Sequence, residues 1–145
     1  MGAIPWLLIV AICFILIKSL LEFIRGTKAG WRMEMRDSRF SAELFYTLLI
    51  IYSTVIIGFG LIYFIISFHG IILVEGERLR EVSILGSIIH SVYFSGTTML
   101  TIGYGDITPI GIGRFIALIE ALIGYILPTA FILRLVQSQQ RSREK

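Results

Sequence analysis

The sequence predicts an all-α membrane protein with three transmembrane helices, and a short re-entrant helix and glycine-containing loop between the second and third. Three observations predict it. Hydrophobic residues make up 56% of the 145-residue chain and charged residues only 16%, with a mean hydropathy of +0.85, far from the balance of a soluble domain. Three apolar stretches are long enough to cross a hydrocarbon core of about 30 Å. Finally, Thr101-Ile102-Gly103-Tyr104-Gly105-Asp106 places irregular backbone between strongly apolar segments. There an unpaired carbonyl is costly unless protein buries it or it lines a watery path.

The first span occupies residues 1–25. Ile4 to Ile17 is continuously apolar, and Lys18, Ser19 and Glu22 interrupt a pattern that runs on to Ile24. Lys18 and Glu22 stand i, i+4 and are placed to pair. No basic residue precedes the run and no small-residue cleavage site follows it, so an anchor is expected and not a cleaved signal peptide. Cys13 is the single cysteine, which excludes an intrachain disulfide.

Residues 26–43 read as an amphipathic interfacial linker. Arg25, Lys28, Arg32, Arg36 and Arg39 recur every three or four positions, like a voltage-sensing helix. A sensor carries its arginines within an apolar span, however, and here Gly26, Gly30, Glu34, Asp37 and Ser38 surround them. With Trp31, Met33, Met35 and Phe40 nearby, the pattern fits a helix lying on the inner membrane surface, without S4-type voltage sensing.

Leu44 to Phe68 is the second span, the outer helix of the stretch 44–136. It contains no charge, and Phe45, Tyr46, Tyr63, Phe64 and Phe68 lie toward its ends, as in an interfacial aromatic belt. His69 to Glu81 forms a more polar connection. Ser83 to Leu100 alternates small polar and apolar residues and is too polar for a full span; Ser83 or Ser87 is a candidate cap. It reads as a re-entrant pore helix whose C-terminal end, carrying about half a negative charge, arrives at Thr101. His90 on this helix is assigned no function. Ile110 to Val136 is the inner helix, carrying Arg114 and Glu120, and residues 137–145 are a polar tail.

Loop charge orients the spans. Arg25, Lys28, Arg32, Arg36 and Arg39 outnumber Glu34 and Asp37 between the first two spans, and Arg134, Arg141, Arg143 and Lys145 outnumber Glu144 after the third. Between spans two and three, Glu75, Glu77 and Glu81 outnumber Arg78 and Arg80. The positive-inside rule therefore expects an external N-terminus and a cytoplasmic C-terminus in a multi-pass cell-membrane protein.

The glycine loop points to its chemistry. Successive carbonyls facing one way require alternating backbone signs, and Gly103 and Gly105 reach positive φ without a Cβ clash. The run Thr97-Thr98-Met99-Leu100-Thr101-Ile102-Gly103-Tyr104-Gly105-Asp106, with an apolar helix on each side, resembles the signature of potassium channels, which usually carry Val where Ile102 stands. The resemblance covers about residues 44–136. It implies a tetrameric pore of identical subunits, with potassium ions coordinated by the carbonyls of Thr101, Ile102, Gly103 and Tyr104 and by the Thr101 hydroxyl. Gly105 completes the selectivity filter, Asp106 sits at the outer mouth, and the side chains of Ile102 and Tyr104 support the filter.

The resemblance also assigns supporting residues. Tyr93 and Phe94 occupy the places of an aromatic pair that packs around the filter tyrosine, where tryptophans are common. Phe94 cannot donate a hydrogen bond. Thr97 stands where some relatives have a glutamate, so a carboxylate partner for Asp106 is absent. Glu120 is expected to pack toward the pore helix, hydrogen-bonded by Ser95, Thr97 or Thr98, or alternatively to face the cavity as part of a cation-attracting ring. Gly124 matches a gating hinge in the family, against a plain reading as close helix packing. Pro128 removes the backbone bond to the Gly124 carbonyl, so a bend is expected there.

The implied function is passive potassium conduction through a homotetramer in membrane lipid, with no cofactor beyond the bound ions and no nucleic-acid partner. A non-selective monovalent cation channel and a non-conducting channel-associated subunit are the alternatives. An enzyme is not expected: the glycine loop lacks the lysine and preceding strand of a nucleotide loop, and no His, Cys or carboxylate cluster suits metal or acid–base work.

Overall fold

The computed structural model describes residues 4–25, 42–75 and 84–143. Residues 26–41 of the amphipathic linker, most of the charged part of the connection after the outer helix, and Ser83 lie outside them, while Ala42 and Glu43 of the linker belong to the next helix.

Among the described residues, three of four helices are long and apolar enough to cross a membrane: α1 (Ile4–Arg25), α2 (Ala42–Ser67) and α4 (Ile112–Arg143). The fourth, α3 (Ile84–Met99), has 16 residues, which at 1.5 Å per residue is about 24 Å and short of a full crossing. Ser87 lies inside α3 and so is not its cap. The inner helix starts at Ile112, two residues later than expected. Gly111, at φ +53°, ends the preceding turn before it. It continues as helix past Val136 to Arg143.

Sequence reading missed a small antiparallel ribbon, in which β1 (Leu73–Glu75) pairs with β2 (Ile107–Pro109) in the register Leu73 to Pro109 and Glu75 to Ile107. The Ile110 N–H extends it by donating to the Ile72 carbonyl at 2.8 Å. Gly113 then passes so close that a Cβ would sit 2.8 Å from that same carbonyl oxygen. The ribbon thus ties the end of α2 to the start of α4, directly after the glycine loop.

Lipid tails are as apolar as leucine, so helix association rests on close packing and interhelical hydrogen bonds more than on hydrophobic exclusion. α2 is where both converge. At Gly58 an added Cβ would meet the Leu16 side chain of α1 at 2.7 Å, and at Gly60 it would meet Val92 of α3 at 2.9 Å. Two glycines on different faces thereby admit a helix on each side. The ring of Trp6 near the start of α1 lies 6.2 Å from that of His69 just beyond the end of α2, tilted at 54°, so these two helices run antiparallel. Val55, Phe59, Ile62 and Tyr63 of α2 form the centre of the buried cluster, with Phe94, Met99 and Leu127.

Candidate functional site

The site begins at the C-terminal end of α3. Thr101 N–H donates to the Thr98 carbonyl at 3.0 Å and Ile102 N–H donates to the Thr97 carbonyl at 2.9 Å. With Thr101 at φ +56°, this is the paired bonding of a Schellman cap, and Thr101 takes the left-handed position usually given to glycine. A β-branched residue there costs about 1–3 kcal/mol. The first residue of the candidate filter is therefore also the cap of α3. Gly103 N–H adds a third bond, to the Thr97 carbonyl at 3.2 Å.

Beyond the cap, φ is +57° at Gly103 and +78° at Gly105, whereas Ile102 and Tyr104 lie outside the positive region. The backbone sign thus alternates from Thr101 to Gly105, as expected from the glycines and with Thr101 added to the pattern. Ile102 and Tyr104 are exposed in the single chain, as are all residues from Thr101 to Asp106.

The aromatic pair on α3 is split. The Tyr93 hydroxyl donates to Asp106 Oδ2 at 2.8 Å. That bond, with backbone N–H donors and the nearby His90, holds the Asp106 carboxyl below its ordinary range, and the same bond raises the Tyr93 hydroxyl above its own. So Asp106 has a partner even with Thr97 in place of a glutamate. Phe94 is buried and turns to α2, where its ring meets Tyr63 edge-on at 5.1 Å. Thr97 is buried too, its hydroxyl donating back to the Phe94 carbonyl at 3.0 Å, while Thr98 contributes the carbonyl that accepts from Thr101.

Glu120 is fully buried where α4 meets α2 and α3. Tyr63 donates its hydroxyl to Oε2 at 2.8 Å, and the Ser95 hydroxyl bonds Oε1. Ser95 also reaches the Ile56 carbonyl of α2 at 2.9 Å. Of the partners named from sequence, Ser95 bonds it, and the Thr97 hydroxyl goes to the Phe94 carbonyl instead. Tyr63, assigned above to an interfacial belt, is fully buried and serves this carboxyl instead.

One turn on, Gly124 passes beneath the end of α3, where a Cβ would overlap the Met99 carbonyl oxygen. Close packing demands glycine here whatever else it does. α4 is continuous helix through Pro128. The Gly124 carbonyl, whose partner Pro128 removes, is reached by the Tyr52 hydroxyl of α2 at 3.3 Å.

A profile described as ion channel matches residues 50–140, which contains every one of these contacts. The chain belongs to this ion channel family. Among its relatives, Protein LctB of Bacillus caldotenax is 39% identical over 108 residues, covering 73% of this chain and 81% of the relative. Protein LctB of Geobacillus stearothermophilus is 38% identical over 104 residues, covering 71% and 78%. No solved structure matches significantly. Family membership and three apolar helices make this a channel protein of the membrane, with most of α2, α3, the glycine loop and most of α4 as its ion channel region.

Proposed function

We propose that four copies of the chain surround one axis and conduct potassium ions selectively, with the carbonyls of Thr101, Ile102, Gly103 and Tyr104 and the Thr101 hydroxyl replacing the hydration shell. The observation that carries this reading is the alternation of backbone sign from Thr101 to Gly105, the arrangement that lets consecutive carbonyls face one side. One such strand supplies too few oxygens to enclose an ion, which supports a cyclic homotetramer. The C-terminal ends of four α3 helices would then point their partial negative charge toward a cation midway across the membrane. Repulsion between ions in adjacent sites keeps conduction fast despite close coordination.

Asp106 is proposed at the outer mouth, which places residues 69–83 outside, the 26–43 linker and the tail in the cytoplasm and the N-terminus outside, in keeping with the loop charges. In the proposed pore Glu120 is structural, bonding α4 to α2 and α3 from behind. Gly124 and Pro128 are the region of the inner helix where gating movement is proposed. The reconstituted protein should pass potassium and rubidium far better than sodium. Equal sodium and potassium currents at the reversal potential would replace this reading by a non-selective cation channel, and silence in liposomes with oligomers that are not fourfold would replace it by an accessory subunit.

A further inference from the structure

The Gly124 carbonyl poses a problem of hydrogen-bond supply within an apolar span. In an uninterrupted helix its partner is the N–H four residues on, and at that place stands Pro128, which has none. A carbonyl left unpaired at membrane depth is costly unless water or a neighbouring group restores the bond. The group that reaches it comes from another helix, 72 residues away: the partly buried Tyr52 hydroxyl, at 3.3 Å. Movement of Gly124 is limited on another side, because it packs without room for a Cβ against the Met99 carbonyl at the end of α3. The carbonyl is thus held from α2 at the one turn of α4 whose backbone bonding is incomplete.

We propose that Tyr52 is a positioning residue for the pore: its hydroxyl supplies the bond deleted by Pro128 and holds the Gly124–Pro128 turn in the arrangement seen here. The chemistry makes the two residues conditional on each other. With alanine at 128 the backbone N–H returns, the Gly124 carbonyl has its own helical partner, and the Tyr52 hydroxyl has little left to contribute. With proline at 128, Tyr52 is the external donor, and phenylalanine at 52 keeps the ring while removing only the bond. A tyrosine that merely packs would show no such dependence on residue 128.

The inference rests on the channel reading for one of its two readouts and is independent of it for the other. The experiment is a double-mutant cycle of Tyr52→Phe, Pro128→Ala and the double variant, in the full chain. In planar bilayers the open fraction of single channels should change about threefold or more for Tyr52→Phe in the native background, the scale of an interhelical hydrogen bond in lipid, and less than about 1.5-fold in the Pro128→Ala background. In detergent micelles, the helix-unfolding equilibrium followed by circular dichroism should give the same non-additive pattern, with or without measurable current. Equal effects of Tyr52→Phe in both backgrounds, or no effect with proline present, in either readout overturn the proposal. Absence of current with non-additive unfolding instead counts against the channel reading and leaves the Tyr52 assignment supported.

Discussion

Tyr63→Phe isolates the bond behind the glycine loop. The substitution removes one oxygen and keeps a ring that still meets Phe94 edge-on, so packing is little altered. What is lost is one of the two hydroxyls on a fully buried carboxyl. Interhelical hydrogen bonds in lipid average about 0.6 kcal/mol and reach about 1.7. Leaving a buried polar group short of a partner costs about 1–3 kcal/mol. We predict a loss of about 1–2 kcal/mol, a factor of about 5 to 30 in the ratio of folded to unfolded protein. Unfolding of the purified protein by increasing denaturing detergent in mixed micelles, followed by circular dichroism, measures it. The same loss should largely vanish when Ser95→Ala and Glu120→Met are present as well, because replacing a whole polar network by apolar groups removes the unsatisfied member. A change below about 0.5 kcal/mol for Tyr63→Phe alone would refute the reasoning and reduce Glu120 to a group held by packing.

Three further predictions address neighbouring contacts. Glu120→Gln is expected to keep assembly, flux and block by internal cations, since its amide can donate to Ser95 while its carbonyl accepts from Tyr63; a large loss of block in rectification measurements would move Glu120 into the cavity. Gly124→Ala should push α4 from the end of α3 at a cost of about 1–3 kcal/mol and lower flux severalfold, read by unfolding and by rubidium uptake into vesicles. Tyr93→Phe should let the Asp106 carboxyl titrate at higher pH: the native bond contributes fully above the ordinary carboxylate range and is lost as pH falls through the depressed folded value, so in the variant acid inhibition of flux should set in nearer neutrality. No movement of the acid limb of the flux profile would count against the Tyr93–Asp106 bond.

What could be read from sequence follows from how local each signal is. Span lengths, the short polar helix and the glycines at 103 and 105 are local signals, and the structure has three long apolar helices, the 16-residue α3 and positive φ at both glycines. Ser95 was within reach because it lies on the helix adjoining the filter. Tyr63 was not: its place near an apolar helix end is equally that of a membrane-interface aromatic, and only the docking of α4, 57 residues later, separates the two roles. The left-handed Thr101 carries no compositional signal, since nothing in a threonine announces positive φ; the Schellman bonding imposes it. Phe94 was given to the filter tyrosine by family position, yet the turn of α3 faces it to α2. The β1–β2 ribbon is three residues per strand, too short for a period-2 pattern. Tyr52 had one indirect trace, the missing N–H of Pro128, which says that a donor is required without saying whose.

These placements relocate the support of the candidate filter. Tyr93, through Asp106, braces its far end, and the left-handed Thr101 stores strain at its base. Most of the bonding lies behind it and passes through α2: Ser95 to the Ile56 carbonyl, Tyr63 to Glu120, Tyr52 to the Gly124 carbonyl. α3 is held there by a hydroxyl and a glycine contact, and α4 by two tyrosines one helical stretch apart on α2. Because the Thr97 carbonyl accepts from both Ile102 and Gly103, a shift of α3 against α2 moves the base of the loop with it. Movement of α4 reaches the same helix through Glu120 and Ser95 and through the Gly124–Met99 contact. A rearrangement of α4 therefore cannot be mechanically private: it acts on the capped end of α3, and so on Thr101.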